Sequence, residues 1–398
     1  MTTPGEDKLR TKSRLTRQVL ATASAAVISA SVLLAPSASA ATAPHAATQA
    51  AIDTLRTQDD SPGAGVVVRE GDSMWSLSSG TRAVNQNLPF GPDHKARIGS
   101  LTKTFTSAIV LQLVAANQVD LDAPVETYLP GVVKGNGYDG TKISVRQLLN
   151  HTSGIADYLS LDVLLNPANQ LRTHTLAEVA SWGLAQPPMF APGKGQRYSD
   201  TNYILAGMII EKVTGNPYDQ ELRSRIITPL GLTNTFLPTP GDKVMPPGHV
   251  RGYIRKTVLG MHFFVDLTDF IEPSMGLSGG GMVSSGADTS RFYQALLTGR
   301  VVPAAQLAEM LKPNGVPGAS FPDYGLGVDR FPLPCGGSAW GHYGRWPGYV
   351  AYSAATTDGR SAFVVVNTLD SIVGSGGSGG PGPAEPGVAL ATALCDKN

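Results

Sequence analysis

Cysteine is nearly absent from this chain: Cys335 and Cys395 are the only two among 398 residues, and both lie near the C-terminus. Two thiols are too few ligands for a metal centre, so no metal and no cofactor are expected. In an oxidising compartment the pair reads as a disulfide, with two free buried thiols as the alternative. Excess charge of either sign is missing too, with 31 Lys and Arg against 31 Asp and Glu. That balance gives no reason to expect nucleic acid or an anionic membrane as partner. Long hydrophobic runs are also lacking. The best candidate, Val19 to Leu34, is short and broken by Ser and Thr, so no stable membrane anchor is expected.

What is present at the N-terminus explains that stretch. Lys8, Arg10, Lys12, Arg14 and Arg17 precede the Ala-rich apolar segment, and Ala38-Ser39-Ala40 supplies small residues for cleavage. Residues 1–40 therefore read as a signal peptide, which makes the protein secreted, with a mature chain starting near Ala41. Removing the leader leaves 26 basic residues against 29 acidic ones.

The remaining ~358 residues can bury a large core, in one domain or two interleaved ones. A leading helix over 41–60 is followed by short strands at Ala64–Arg69 and Met74–Leu77, parted by the turn Glu70-Gly71-Asp72. Strands return near the end at Tyr349–Ser353 and Ala362–Val366, joined by a turn at Asp358-Gly359. Between them lie helical patterns at Val145–Leu149, Leu176–Leu184, Tyr203–Val213 and Ala287–Leu297. The Gly/Ser-rich stretch Gly374 to Pro386 reads as a surface linker before a last helix carrying Cys395. The expected class is α+β. An antiparallel sheet built from 41–117 and 301–398 is flanked by helices, a mostly helical part spans 118–300, and the active site lies between them.

Ser100-Leu101-Thr102-Lys103 opens a segment, Ala108–Val114, that is apolar nearly all round and reads as a buried helix. Ser100 falls in its first turn and Lys103 one turn on, on the same face. Free backbone N–H groups and the helix dipole favour negative charge developing there. A serine so placed is a nucleophile whose neighbouring amine accepts its proton; the plainer alternative is an N-cap serine with a solvated lysine. With 31 Ser and 12 Lys in the chain, the bare spacing arises about once by chance. Two further motifs give it weight. Arg197-Tyr198-Ser199-Asp200 puts a tyrosine on a loop entering a helix, a base if nearby cations lower its pKa from about 10. Gly341-His342-Tyr343-Gly344-Arg345 leads into a C-terminal strand, where a glycine lets substrate backbone approach and a histidine can supply positive charge or relay a proton. Read singly, the tyrosine and histidine are ordinary structural residues.

Together these motifs resemble the serine β-lactamase and penicillin-binding superfamily. The closer likeness is to class C β-lactamases, esterases of that fold and secreted Streptomyces-type D-alanyl-D-alanine carboxypeptidases. Gln147–Gly154, Pro229-Leu230-Gly231-Leu232 and Gly279–Ser285 match family signatures as well, and the likeness spans roughly 45–398. It implies a β-lactamase/transpeptidase-like fold and a secreted serine hydrolase working through an acyl-enzyme. Ser100 is then the acylated nucleophile, Lys103 its proton partner, Tyr198 the general base and acid, and His342 the counterpart of a lysine in some relatives. The N–H groups of Ser100 and Arg345 would form the oxyanion hole. Asp200, Tyr343, Gly344 and Arg345 would line the substrate site. In the secreted carboxypeptidases a disulfide joins positions like Cys335 and Cys395. A monomer acting on a small peptide, β-lactam or ester is expected, with cell-wall D-Ala-D-Ala peptides first.

Three departures bear on substrate. The family's Tyr-x-Asn is Tyr198-Ser199-Asp200 here, an acceptor in place of a donor. The His-Thr-Gly of the carboxypeptidases is His342-Tyr343-Gly344, which loses a hydroxyl, and the arginine expected after Val328 is Asp329 with Arg330 beside it. Arg345 or Arg330 remains to hold a carboxylate. Two rivals stand: an α/β-hydrolase using the elbow-like Gly276-Leu277-Ser278-Gly279-Gly280, and a non-catalytic binder of cell-wall peptide on the same fold.

Overall fold

Val66-Val67-Val68 forms the middle of strand β1 (Gly63–Glu70), where β-branched side chains suit a strand covered on both faces. Helix α1 (Ala46–Gln58) precedes it, and β2 (Ser73–Gly80) returns antiparallel after the turn at Gly71. The computed structural model describes residues 44–58, 60–369 and 386–397. The expected signal peptide and the stretch 374–385 lie outside the described residues.

A short strand β3 (Lys95–Arg97) runs into helix α2 (Thr102–Ala115), and helix α3 (Asp200–Thr214) ends at Gly215 with φ 74°. A hairpin, β4 (Tyr253–Val258) and β5 (Met261–Asp266), is followed by β6 (Val283–Ser285), which pairs with β3, and by helix α4 (Gly286–Leu297). The chain then lays down β7 (Asp329–Pro332), β8 (Ser338–Trp346), β9 (Tyr349–Ala355), β10 (Arg360–Val366) and helix α5 (Pro386–Cys395). The six-stranded sheet has the order β2-β1-β10-β9-β8-β7, antiparallel throughout.

This is the α+β architecture with a sheet drawn from both chain ends. Register pairs Val66 with Val364 and Val67 with Phe363, so alternate residues feed opposite layers. Val66, Val68, Val364 and Val366 pack with Ile52 and Leu55 of α1 and with Leu390 and Leu394 of α5. On the other face α4 lies so close that a β-carbon on Gly286 would come 2.5 Å from Val67. Helix α2 is buried along almost its whole length, as its apolar sequence requires.

Three features differ from the sequence reading. Residues 286–297 belong to the sheet's own covering layer, although the helical part was expected to run to 300. The β4–β5 hairpin falls inside that part; its strands are largely exposed and so lack the apolar alternation that marks a half-buried strand. The His342 motif does not lead into a strand but is one, because the glycines that look like loop residues permit a close backbone approach.

Candidate active site

Ser100 sits in a 3-10 turn, Gly99–Leu101, wedged between β3 and the start of α2. Gly99 has φ 53°, the left-handed region that glycine tolerates, and a β-carbon there would lie 2.3 Å from the Arg345 carbonyl oxygen. Thr102 Oγ1 donates to Gly99 O at 2.7 Å and accepts the Met282 N–H at 3.2 Å. The turn is thus clamped between β8 and the glycine-rich Gly279–Gly281 segment. Ser100 itself is only half-buried.

Lys103 is fully buried, and a charge out of water must be compensated by its surroundings. Its ammonium meets three acceptors: Ser100 Oγ at 3.0 Å, Gly279 O at 2.6 Å and, closest, Asp200 Oδ1. All three of its donors are used. Asp200 opens α3, so the helix start carries the counter-ion to the ammonium that touches Ser100.

The Tyr198 ring lies 4.8 Å from Lys103 Nζ. Its hydroxyl is buried beside Ser100. Burial pushes this phenol well above its ordinary pKa and the Asp200 charge adds to the rise, while Ser100 acts in the opposite sense. The expected lowering by cations is therefore not what the site does; its one close cation is already neutralised by Asp200. Tyr198 rests as a neutral phenol able to give a proton.

His342, expected to supply positive charge or a relay, supplies no charge at neutral pH. Burial, helped by the nearby Lys103, lowers its pKa to about 3. One ring nitrogen, Nδ1, contacts the Tyr343 carbonyl, and Nε2 lies 2.9 Å from the Tyr324 hydroxyl. Those partners assign the proton to Nδ1 and make Nε2 the acceptor from Tyr324.

Sequence reasoning gave no role to His151, Asp157 or Tyr324. His151 lies inside the stretch Gln147–Gly154; its ring packs tilted against Tyr198 with centroids 4.2 Å apart, and Nδ1 faces the Ser199 N–H and Asn202 Nδ2, both at 3.2 Å. Burial holds it neutral as well, far below the usual imidazole range. Asp157 stands three residues after Gly154, and its Oδ1 accepts the N–H of Asp200 at 3.0 Å. Burial, with Asp200 as neighbour, pushes its carboxyl up to about 8. Only its nearness to a family signature could have flagged it.

The substrate-side residues are more scattered. Gly344 presses on the turn carrying Ser100, while Arg345 is exposed. Tyr343 stacks on Tyr352 at 5.6 Å and packs with the cluster beneath α1 and α5. Arg330 pairs with Asp323 at 2.8 Å. The elbow reading of Ser278 fails: no strand precedes it, it is fully buried, and its hydroxyl donates to Tyr203 O at 2.8 Å. Cys335 and Cys395 form a disulfide with a Cα–Cα separation of 5.7 Å.

A half-buried serine touching a buried lysine, on this sheet-and-helix scaffold, defines the class of serine hydrolases with the penicillin-binding fold. The chain belongs to the Beta-lactamase family, whose model matches residues 48–375. It is 25% identical over 332 residues to penicillin-binding protein 4* of Bacillus subtilis, covering 81% of this chain and 71% of that one. Among solved structures it resembles a D-stereospecific amidohydrolase from Streptomyces sp., with 38% identity, a TM-score of 0.73, and coverage of 83% of this chain and 96% of that chain. A D-amino acid amidase from Ochrobactrum anthropi SV3, complexed with L-phenylalanine amide, shares 30% identity at a TM-score of 0.70 over 81% of this chain and 90% of that one.

Proposed function

We propose that the protein hydrolyses amides of D-configured amino acids or short peptides through an acyl-enzyme on Ser100. The observation that carries this reading is the 3.0 Å contact between Lys103 Nζ and Ser100 Oγ. Ser100 Oγ attacks the carbonyl carbon and its proton goes to Lys103 as the ammonium passes one of its own to Asp200. The facing N–H groups of Ser100 and Arg345 receive the oxyanion. Tyr198, a neutral phenol, protonates the departing nitrogen and regains a proton from Lys103, to which Asp200 returns its own; water then releases the acid.

The substrate class follows from what the cleft lacks. A C-terminal carboxylate calls for a dedicated cation or hydroxyl, yet Arg330 is held by Asp323 and Tyr343 replaces the threonine of the carboxypeptidases. An uncharged leaving group suits such a site, in line with the D-stereospecific amidohydrolase of Streptomyces that the chain resembles. Exposed Arg345, beside the nucleophile turn, favours a second reading: a D-alanyl-D-alanine carboxypeptidase on cell-wall peptides, with that guanidinium holding the carboxylate. Secretion suits either reading and fits the disulfide.

The test compares D- and L-phenylalanine amide, a D-Ala-D-Ala peptide, a cephalosporin and a p-nitrophenyl ester, with mass mapping of a covalent serine probe. Turnover of the D-amide above its L-enantiomer, with label on Ser100, is expected. Faster turnover of the D-Ala-D-Ala peptide selects the second reading, and absence of label on Ser100 overturns both.

A further inference from the structure

Arg69 closes the buried run of β1, on the side of the strand that Val67 presents to α4. It is only 7% exposed, and its Nε is buried with no hydrogen-bond partner among the described residues. Its side chain makes one polar contact there, from Nη2 to the Met74 sulfur at 3.5 Å, and a thioether is a weak acceptor. A guanidinium so far out of water calls for an anion or several carbonyl oxygens.

A cavity of about 260 Å³ opens beside it, lined also by Asp72, Leu230, Arg291, Gln294 and Arg300. None of the residues assigned to the hydrolytic site lines it. Gln294 Nε2 donates to Gly71 O at 3.0 Å and to Gly359 O at 2.8 Å, which ties α4 to two strand turns and fixes this wall. Arg291 sends Nη1 toward Leu230 O at 3.4 Å, inside the Pro229–Leu232 motif that catalysis leaves without a role. Arg300 spends its Nε on Thr298 Oγ1 at 3.3 Å. Among the described residues, none of these three guanidiniums contacts a carboxylate.

We propose that this cavity binds a phosphate group, free or esterified, with Arg69, Arg291 and Arg300 donating to its oxygens. Asp72 is the one acid among the lining residues, so three positive charges face a single negative one. Asp288 acts on Arg69 more weakly than Asp72 does, and its Oδ2 already accepts the Asn234 N–H and the Thr235 hydroxyl. Burial, and after it the charge of Arg291, work against the charge on Arg69, which an arginine keeps all the same. A phosphate dianion between the guanidiniums offsets both the repulsion and the lost hydration. Its several oxygens can meet donors arriving from β1, from α4 and from the turn after α4, whereas a flat, singly charged carboxylate fills one fork. The volume lies just under the range usual for drug-sized ligands, which suits a phosphate with a small attached group.

The experiment is calorimetric titration of the protein with inorganic phosphate, with phenyl phosphate and with acetate, at one fixed ionic strength so that screening is constant. One site per chain is expected, with a phosphate ligand bound about tenfold or more tighter than acetate. Arg291 is exposed and has the Leu230 carbonyl as its hydrogen-bond partner, so Arg291→Gln should leave the ligand-free melting temperature unchanged. The same variant should weaken phosphate binding by about tenfold or more. Arg69→Gln should abolish binding; thermal unfolding shows whether this buried variant folds, and Arg291→Gln decides alone if it does not. Tighter binding of phenyl phosphate assigns the site to an esterified phosphate and tighter binding of inorganic phosphate to the free ion; either supports the proposal. No saturable binding, acetate bound as well as phosphate, or undiminished phosphate binding in Arg291→Gln overturns it.

Discussion

A β-carbon placed on Gly344 would stand 1.9 Å from the carbonyl oxygen of Ile98, so the strand and the turn carrying Ser100 touch backbone to backbone. That contact, with the matching one between Gly99 and Arg345, sets where Ser100 lies relative to the strand bearing Arg345. Neither neighbour is a flexible side-chain end that could swing away. Gly344→Ala must therefore push β8 off the turn. Its kcat/KM should fall by about 100-fold or more, with a lowered melting temperature; activity near wild type would show that the turn does not depend on this contact.

Lys103→Met and Tyr198→Phe test the proton path at nearly constant volume. Each should slow acylation by roughly 10²–10⁴-fold, the usual range for a positioned acid or base. The double variant should lose far less than the product of the two, because the groups act as one unit. Rapid-quench measurement of acyl-enzyme formation reads the step directly, and multiplicative losses would mean that the two residues work independently.

Asp200→Asn removes the counter-charge of a fully buried ammonium, and desolvation then favours the neutral amine. Lys103 no longer needs to hand a proton away, so Ser100 should still be acylated while the protein becomes less stable. The new carboxamide N–H can also donate to a substrate carbonyl, so kcat/KM for D-Ala-D-Ala peptides should rise relative to esters. Steady-state kinetics on both substrates decide this; an unaltered ratio would place residue 200 out of reach of substrate.

The pH dependence of stability carries the mark of His342. Its folded-state pKa, about 3, lies below the ordinary 6.5, so the unfolded chain binds the proton more readily. Stability from this residue is present above pH 6.5 and is lost as pH falls toward 3, by up to about 1.4 kcal/mol per pH unit. His151 acts in the same direction. His342→Gln should flatten the fall in melting temperature between pH 6.5 and 4, and equal slopes in the two proteins would contradict the assignment.

The disulfide closes a loop with a sequence separation of 60 residues. Cys335→Ser should cost about 4 kcal/mol on the loop-entropy argument, read by denaturant unfolding. Because Cys335 lies on the exposed loop before β8, Ser100 labelling should survive at low temperature.

Ser100, Lys103, Tyr198 and His342 were legible because each sits in a short motif whose order is read without folding the chain. The sheet was legible from Val66-Val67-Val68 and Phe363-Val364-Val365-Val366, where β-branched runs signal buried strands. Strand β8 was not, since Gly341, Gly344 and Gly348 imitate a loop until a partner backbone explains them. The exposed β4–β5 hairpin carried no pattern at all.

Sequence by itself determined the class of fold and singled out Ser100 and the residues around it as candidates, since local spacing and β-branched runs are properties of neighbours along the chain. Tertiary structure decided their electrical state. Tyr198 is raised and His342 lowered by burial, Lys103 is neutralised by a residue 97 positions away, and Asp157 reaches that residue from a third segment. Desolvation and Coulomb forces depend on distance in space and on excluded water, and neither is written in the order of the residues.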